Sequence, residues 1–236
     1  MTNVNMLQTL IKAYTEPHRH YHTLDHITHM INTAVSWRCE MTEELLYAIW
    51  FHDVIYVPFE KDNEEKSVEL FKKFYDDVIF PNRSDIDKEC GYAEELSSRF
   101  DNEPSPWAMI DVTYAILSTK NHKPLNKLAK QLIDLDLAIL AEPFWMEEQD
   151  MSDKYAKKWF CTTSGSVNFD YLYDQYLWKI RAEYDPIFEH DSLWNAGRKT
   201  WIESMLSRDK LFYTEEGAKL EKSARANLSR ELKIYT

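Results

Sequence analysis

The stretch LLYAIWFHDVIY, Leu45–Tyr56, is the most apolar part of the chain, and it contains an imidazole beside a carboxylate, His52 and Asp53. Thr42 just before it suits a helix N-cap, and the apolar residues that follow have the spacing of a buried helix that runs up to His52. Ionisable groups at the end of such a helix are costly unless they are hydrogen-bonded, ion-paired or bound to a metal. The pair is therefore either metal-binding or a capping aspartate beside a core histidine.

Glycine is scarce on both sides of this stretch, with 4 in 236 residues, where average usage would give about sixteen. Hairpin turns depend on glycine, so the scarcity argues against an all-β fold. Apolar residues recur at helical spacing instead, and no linker marks a joint between domains. We predict one all-α domain over residues 1–236, with helices at about 6–14, 25–37, 42–53, 62–77, 84–100, 105–120, 125–141, 145–161, 167–184, 190–207 and 213–233.

The charge balance is acidic, with 28 Lys and Arg against 40 Asp and Glu and a net charge of −12. Nucleic-acid polymers bind cationic faces, so we expect no such partner, although a bound metal can still attract a small anion. Membrane insertion is not expected, because no apolar run approaches about 18 residues and the N-terminus lacks a signal-peptide pattern. The three cysteines form no CxxC pair, which disfavours a disulfide framework or a thiolate zinc site. We therefore predict a cytoplasmic protein.

Histidines and aspartates recur on two further segments. Five of the 8 histidines lie within twelve residues, which indicates either ligands or a solvated basic patch: His18, His20, His22, His26 and His29. The apolar segment LIDLDLAIL contains Asp134 and Asp136, two residues apart on a predicted helix. They point to different sides, so at least one faces inward unless the helix lies at the surface. Imidazoles with carboxylates suit a divalent cation, Mn²⁺, Co²⁺, Fe²⁺ or Zn²⁺ and less well Mg²⁺.

The order His26, His52-Asp53, Asp136 resembles the H…HD…D signature of the HD-domain superfamily of metal-dependent phosphohydrolases. The resemblance extends from about Tyr14 to Leu232 and is closest to a bacterial subfamily of predicted HD phosphohydrolases. It is carried in order by RHYHTLDHI, FHDVIYVPFEKDNEEKS, STKNH, LIDLDLAIL, IRAEY, AGR and EKSARANLSREL. It implies a single multi-helix HD-domain bundle with additional C-terminal helices.

The resemblance implies metal ligands at His26, His52, Asp53 and Asp136. Asp136 is preferred to Asp134 because the ligand in similar HD nucleotidases directly precedes the apolar run that continues the helix. Asp134 is then a residue that orients a ligand from behind.

Related nucleotidases use acidic residues after the HD pair to position water and to protonate the leaving oxygen. The candidates are Asp62, Glu64 and Glu65, of which we favour Glu64 as the acid or base. The alternative is a capping box that joins Asp62 to Glu65, or a solvated helix start. His122 is the other catalytic candidate, as a phosphate donor, a proton donor or the ligand of a second metal.

Five cations are available for a substrate phosphate: Arg19, Lys66, Lys120, Lys123 and Arg181. Arginine suits bidentate phosphate binding, and we take Arg19, Lys120 and Arg181 as substrate-binding candidates. Arg181 lies in an aromatic stretch, where it is either a site residue or the ion-pair partner of Glu183.

The sequence thus predicts a metal-dependent phosphohydrolase that cleaves a phosphomonoester of a nucleotide or a similar small phosphorylated molecule. A bound metal lowers the pKa of water and polarises a phosphoryl oxygen. The alternatives are an HD-fold di-iron oxygenase, suggested by the surplus histidines, and a non-catalytic module in which a metal only joins helices. The amphipathic C-terminal segment EKSARANLSREL either closes the bundle or joins a homodimer interface.

Overall fold

The computed structural model of the protein describes residues 3–79, 106–142, 172–184 and 191–235, and every regular element in these ranges is helical. The all-α prediction is confirmed. The helices predicted at about 84–100 and 145–161 lie outside the described residues. Within the described ranges, no helix is both long enough and apolar enough to cross a bilayer.

The chain forms two compact units, an N-terminal unit of Met1–Asp136 and a C-terminal unit of Leu137–Thr236. A single domain over residues 1–236 stays a prediction, and each unit is described by itself. The described N-terminal helices are α1 Asn3–Ala13, α2 Leu24–Ser36, α3 Glu43–Phe51, α4 Asn63–Phe74, α5 Pro106–Thr119 and α6 Lys127–Leu137.

Side-chain caps fix where α2 and α3 begin. The Thr42 hydroxyl accepts a hydrogen bond from Leu45 N at 3.3 Å, as the sequence predicts. In α2 the N-cap is Thr23, whose hydroxyl accepts from Asp25 N at 3.3 Å, so the helix begins at Leu24, one residue before the predicted start. Thr23 has extended backbone angles, which is the geometry that an N-cap requires.

Helix α3 lies at the centre of the N-terminal unit, where it packs against α2, α4 and α5. Its buried side chains belong to the main hydrophobic core. The ring of Phe51, the last residue of α3, stacks on Phe74 at 5.4 Å and meets Phe71 edge to face at 5.3 Å. Burying a phenylalanine stabilises the fold by roughly 1.5–3 kcal/mol. The end of α3, from which His52 and Asp53 follow, is therefore firmly held.

The C-terminal unit has helices α7 Leu172–Tyr184, α8 Asp191–Leu206, α9 Glu215–Ala218 and α10 Glu221–Leu232, with 3₁₀ turns at Ala138–Ala141 and Lys233–Tyr235. Helix α10 packs against α8 and the first 3₁₀ turn and buries Ala224 and Leu228. The C-terminal segment is therefore a packed helix of this unit, and its part in a homodimer interface stays a prediction. A single helix over 213–233 is wrong, because two residues separate α9 from α10.

A buried charge network links the helices of the C-terminal unit. Fully buried Glu231 accepts hydrogen bonds from Arg198 Nε at 2.7 Å, from the Tyr173 hydroxyl at 2.7 Å and from the Tyr235 hydroxyl at 3.2 Å. The Arg198 guanidinium also lies 4.2 Å from the centre of the Trp201 ring. This carboxylate is therefore both charge-paired and hydrogen-bonded, as a buried ion requires.

Candidate metal centre

Three helices of the N-terminal unit bring an imidazole, an imidazole and a carboxylate together. His26 lies on α2, His52 directly follows α3, and Asp136 lies near the end of α6. The two imidazole Nε2 atoms are 3.3 Å apart, and Asp136 Oδ1 is 3.3 Å from His26 Nε2 and 4.0 Å from His52 Nε2. One ligand atom of each residue lies within 4.8 Å of the other two. Residues 110 positions apart in the sequence therefore share one small site.

The orientation of His52 suits a metal ligand. Its Nδ1 donates a hydrogen bond to the carbonyl of Ile49 at 2.8 Å, which leaves Nε2 facing Asp53, His26 and Asp136. A backbone carbonyl behind a ligating histidine commonly fixes the tautomer in this way. The buried Nδ1 of His26 has no hydrogen-bond partner among the described residues. The donor set fits a divalent cation that accepts nitrogen and oxygen ligands.

Asp53 lies at the edge of this group. Its Oδ2 is 3.0 Å from His52 Nε2 and 3.8 Å from His22 Nε2. The His22 ring in turn stacks on Tyr56 with a 4.0 Å separation of ring centres. Asp53 is thus placed between one fully buried histidine and one that retains some contact with solvent.

Burial and neighbouring charges compete in setting the pKa values of the site. Burial lowers the pKa of His52, but the charges of Asp53 and Asp136 outweigh it and raise the pKa to about 9. Burial raises the pKa of both aspartates, but histidine contacts outweigh it. His52 holds the pKa of Asp53 below its usual range. His122 and His26 do the same for the pKa of Asp136. For His26 burial dominates, and its pKa falls. Without a metal, His52 therefore keeps its proton at neutral pH, while Asp53 and Asp136 are ionised.

Asp136, and not Asp134, is the aspartate of α6 that lies with the histidines. Asp134 is completely buried, which bears out the expectation that at least one of the two faces inward. His122 reaches the same carboxylate from the loop after α5, with Nε2 3.5 Å from Asp136 Oδ2. Two oxygens of one carboxylate thus face different histidines.

Arg19 does not have the place predicted for a substrate ligand. Its side chain is 0% exposed, and its guanidinium donates to the backbone carbonyls of Asp53 at 2.6 Å, Val54 at 2.9 Å and His22 at 3.3 Å. The donors that a phosphate needs are engaged with these carbonyls and with the Glu16 carboxylate, which accepts from Nε at 3.1 Å. The substrate-binding prediction for Arg19 is therefore wrong, and the residue holds the turn that contains Asp53.

Two residues that sequence reasoning missed hold the same turn from the other side. The amide of buried Asn63 accepts from Val57 N at 3.1 Å and donates to Val57 O at 3.0 Å. The hydroxyl of buried Ser67 accepts a hydrogen bond from Ile55 N at 3.1 Å. Polar residues on the otherwise apolar inner face of α4 were the available signal, because a buried amide or hydroxyl requires partners.

The acidic candidates occupy the start of α4 beside Lys120. Burial raises the pKa of Glu64, and the charge of Asp53 adds to the rise. Lys120 Nζ lies 2.5 Å from Glu65 Oε1 and 4.0 Å from Glu64 Oε2. Asp62 instead pairs with Lys66 at 2.8 Å and makes no side-chain cap, so the capping-box alternative is wrong. Glu64 is the candidate acid whose surroundings favour a proton.

Arg181 lies on α7 in the C-terminal unit and is partly buried, with buried Glu183 two residues further along the helix. Its role as a phosphate ligand and its pairing with Glu183 both stay predictions.

Comparison of the chain with protein-family models, with curated proteins and with solved structures finds no significant match.

Proposed function

We propose that the N-terminal unit binds a divalent cation through His26, His52 and Asp136, with Asp53 beside them, and that the protein is a metal-dependent phosphohydrolase. The observation that carries this proposal is the convergence of two buried imidazoles and a carboxylate within 4.8 Å. The resemblance of the sequence to HD-domain phosphohydrolases gives the reaction class. The expected substrate is a phosphomonoester of a nucleotide or a similar small molecule, and the expected location is the cytoplasm.

The chemistry divides between the cation and the chain. A bound divalent cation lowers the pKa of water and polarises a phosphoryl oxygen. Glu64 is the proposed proton donor to the leaving oxygen, because burial and the charge of Asp53 both raise its pKa. Lys120 is paired with Glu65, but its side chain is 38% exposed, and it is the proposed cation beside Glu64 for the phosphate. The Ile49 carbonyl keeps His52 in the tautomer that presents Nε2.

The test compares phosphate release from a panel of nucleoside monophosphates and sugar phosphates with added Mn²⁺ or Co²⁺. Asp136→Asn preserves the shape of the side chain and removes its charge, so we expect a loss at least as large as the roughly 10–100-fold typical for the outer-shell partner of a metal ligand. His20→Ala is the matched control, since His20 is an exposed histidine of the same segment outside the donor group. The proposal fails if Asp136→Asn hydrolyses every active substrate at the wild-type rate.

Two other functions remain distinguishable by metal content and turnover. His22 and His122, each beside a carboxylate of the site, favour the di-iron oxygenase as a second candidate. About two irons per chain together with oxygen consumption would support it. A cation that raises the melting temperature of a protein without activity toward any ester would instead support the non-catalytic module.

A further inference from the structure

The loop after α5 holds His122 in a backbone conformation that L-residues seldom adopt. Its φ is 50°, in the left-handed region. His122 N donates to Thr119 O at 3.3 Å, and Lys123 N donates to Ser118 O at 3.2 Å. This pair of bonds is the Schellman motif, whose left-handed position is usually glycine because glycine has no Cβ to clash. His122 therefore occupies a backbone position that favours glycine.

Side chains of the same loop keep this conformation in place. The Ser118 hydroxyl accepts from Leu125 N at 3.1 Å, and the Asn121 side chain accepts from the backbone N–H two residues later at 3.0 Å. Lys120 ties the loop to the start of α4 through its 2.5 Å contact with Glu65. A strained residue persists where its surroundings fix it from several sides. Ser118, Lys120 and Asn121 of the segment STKNH thus stabilise the loop, and the loop in turn fixes the position of His122.

The His122 ring contacts Oδ2 of Asp136, the carboxylate oxygen that does not face His26. Its Nε2 lies 3.5 Å from Oδ2, while Oδ1 of the same carboxylate lies 3.3 Å from His26 Nε2. A contact on Oδ2 opposes rotation of the carboxylate and keeps Oδ1 directed at the two inner histidines. Groups that orient a metal ligand from behind typically change metal affinity 10–100-fold when they are removed.

We propose that His122 is a positioning residue, which orients Asp136 for the metal and occupies a glycine-favouring position for that purpose. The inference rests on the metal centre of the proposed function. It assigns His122 to the carboxylate and not to the leaving group of the substrate.

The chain offers a matched control at the end of α2. Arg38 has φ 55° and closes that helix with the same pair of bonds, Arg38 N to Val35 O at 3.0 Å and Cys39 N to Ala34 O at 2.9 Å. Arg38 is exposed and is not among the donors of the site. Arg38→Gly therefore changes the same backbone position without touching Asp136.

The experiment measures Co²⁺ affinity, the visible Co²⁺ spectrum and the melting temperature of the metal-free protein. We expect His122→Gly to bind Co²⁺ about 10–100-fold more weakly and with an altered spectrum, while its metal-free melting temperature equals or exceeds that of the wild type. His122→Asn, which also tolerates the left-handed region, should lose affinity similarly. Arg38→Gly should keep the wild-type affinity and spectrum.

The outcomes separate this inference from the proposed function. Wild-type affinity in His122→Gly overturns the inference, as does an affinity loss accompanied by a lower metal-free melting temperature in both His122 variants. A wild-type protein that binds Co²⁺ but hydrolyses no phosphate ester overturns the proposed function alone. A wild-type protein that binds no Co²⁺ overturns both.

Discussion

Replacing Arg19 with lysine is expected to destabilise the protein although the charge is conserved. The guanidinium donates at once to the carbonyls of His22, Asp53 and Val54, at 3.3, 2.6 and 2.9 Å. A lysine ammonium lacks the planar fork that reaches several acceptors together. We assume that lysine keeps one of these bonds and leaves two of the buried or partly buried carbonyls without a donor. Since each buried group without a partner costs roughly 1–3 kcal/mol, the expected loss is about 3 kcal/mol after local relaxation.

Urea unfolding of the metal-free proteins, followed by far-ultraviolet circular dichroism, measures this loss. The midpoint should fall while the denaturant slope stays unchanged, because the surface exposed on unfolding is the same. Arg225→Lys is the matched comparison. Arg225 also donates to two carbonyls, those of Leu206 and Arg208, but its side chain is 28% exposed and water can replace it. We expect that change to cost less than about 1 kcal/mol.

Equal losses for the two substitutions would refute this reasoning, since burial of the arginine side chain would then have no influence. A loss below about 1 kcal/mol for Arg19→Lys would refute it as well. A second readout concerns the site itself, because Arg19 holds the backbone of Asp53. Co²⁺ affinity should fall in Arg19→Lys and stay constant in Arg225→Lys.

The metal-free protein should lose stability from pH 6.5 to 9.5, because the folded-state pKa of His52, about 9, exceeds its unfolded value of about 6.5. That stabilisation is about 3 kcal/mol by the size of the pKa shift. It is complete below the unfolded-state pKa and is lost as the pH rises through the folded-state pKa. A melting temperature that does not fall across this range would contradict the prediction. Glu231→Gln should cost about 3 kcal/mol because Arg198 stays buried with its charge uncompensated, and a change below 1 kcal/mol in urea unfolding would show that the pair is dispensable. Ser67→Ala removes the acceptor for Ile55 N and should cost about 1–2 kcal/mol; hydrogen exchange at that amide should accelerate, and an unchanged rate would contradict the contact.

The sequence predicted a helix well where its apolar spacing and its capping residue were each compatible with only one helix start. The apolar run before His52 and the hydroxyl of Thr42 define α3, because helical spacing and capping chemistry depend only on neighbours in sequence. Capping rules accept both Thr23 and Asp25 before α2. The extended backbone at Thr23, which sequence does not display, decides between them.

The donors of the site were predictable as residue types, and their partners were not. Periodicity places Asp134 and Asp136 on one helix, but only packing shows which carboxylate meets His26. Arg19 was misassigned for a related reason. Its partners are backbone carbonyls, which every residue carries. The sequence therefore cannot show which carbonyls need a side-chain donor in the folded protein.

The turn after α3 has a consequence for how such proteins change over evolutionary time. Arg19, Asn63 and Ser67 hold its main chain, so folding alone would preserve them in a descendant that had abandoned chemistry. Folding alone would not preserve His122, because glycine adopts its left-handed backbone conformation at a lower energetic cost. On the proposed metal centre, a glycine at position 122 of a related chain would indicate that the chain no longer binds the cation.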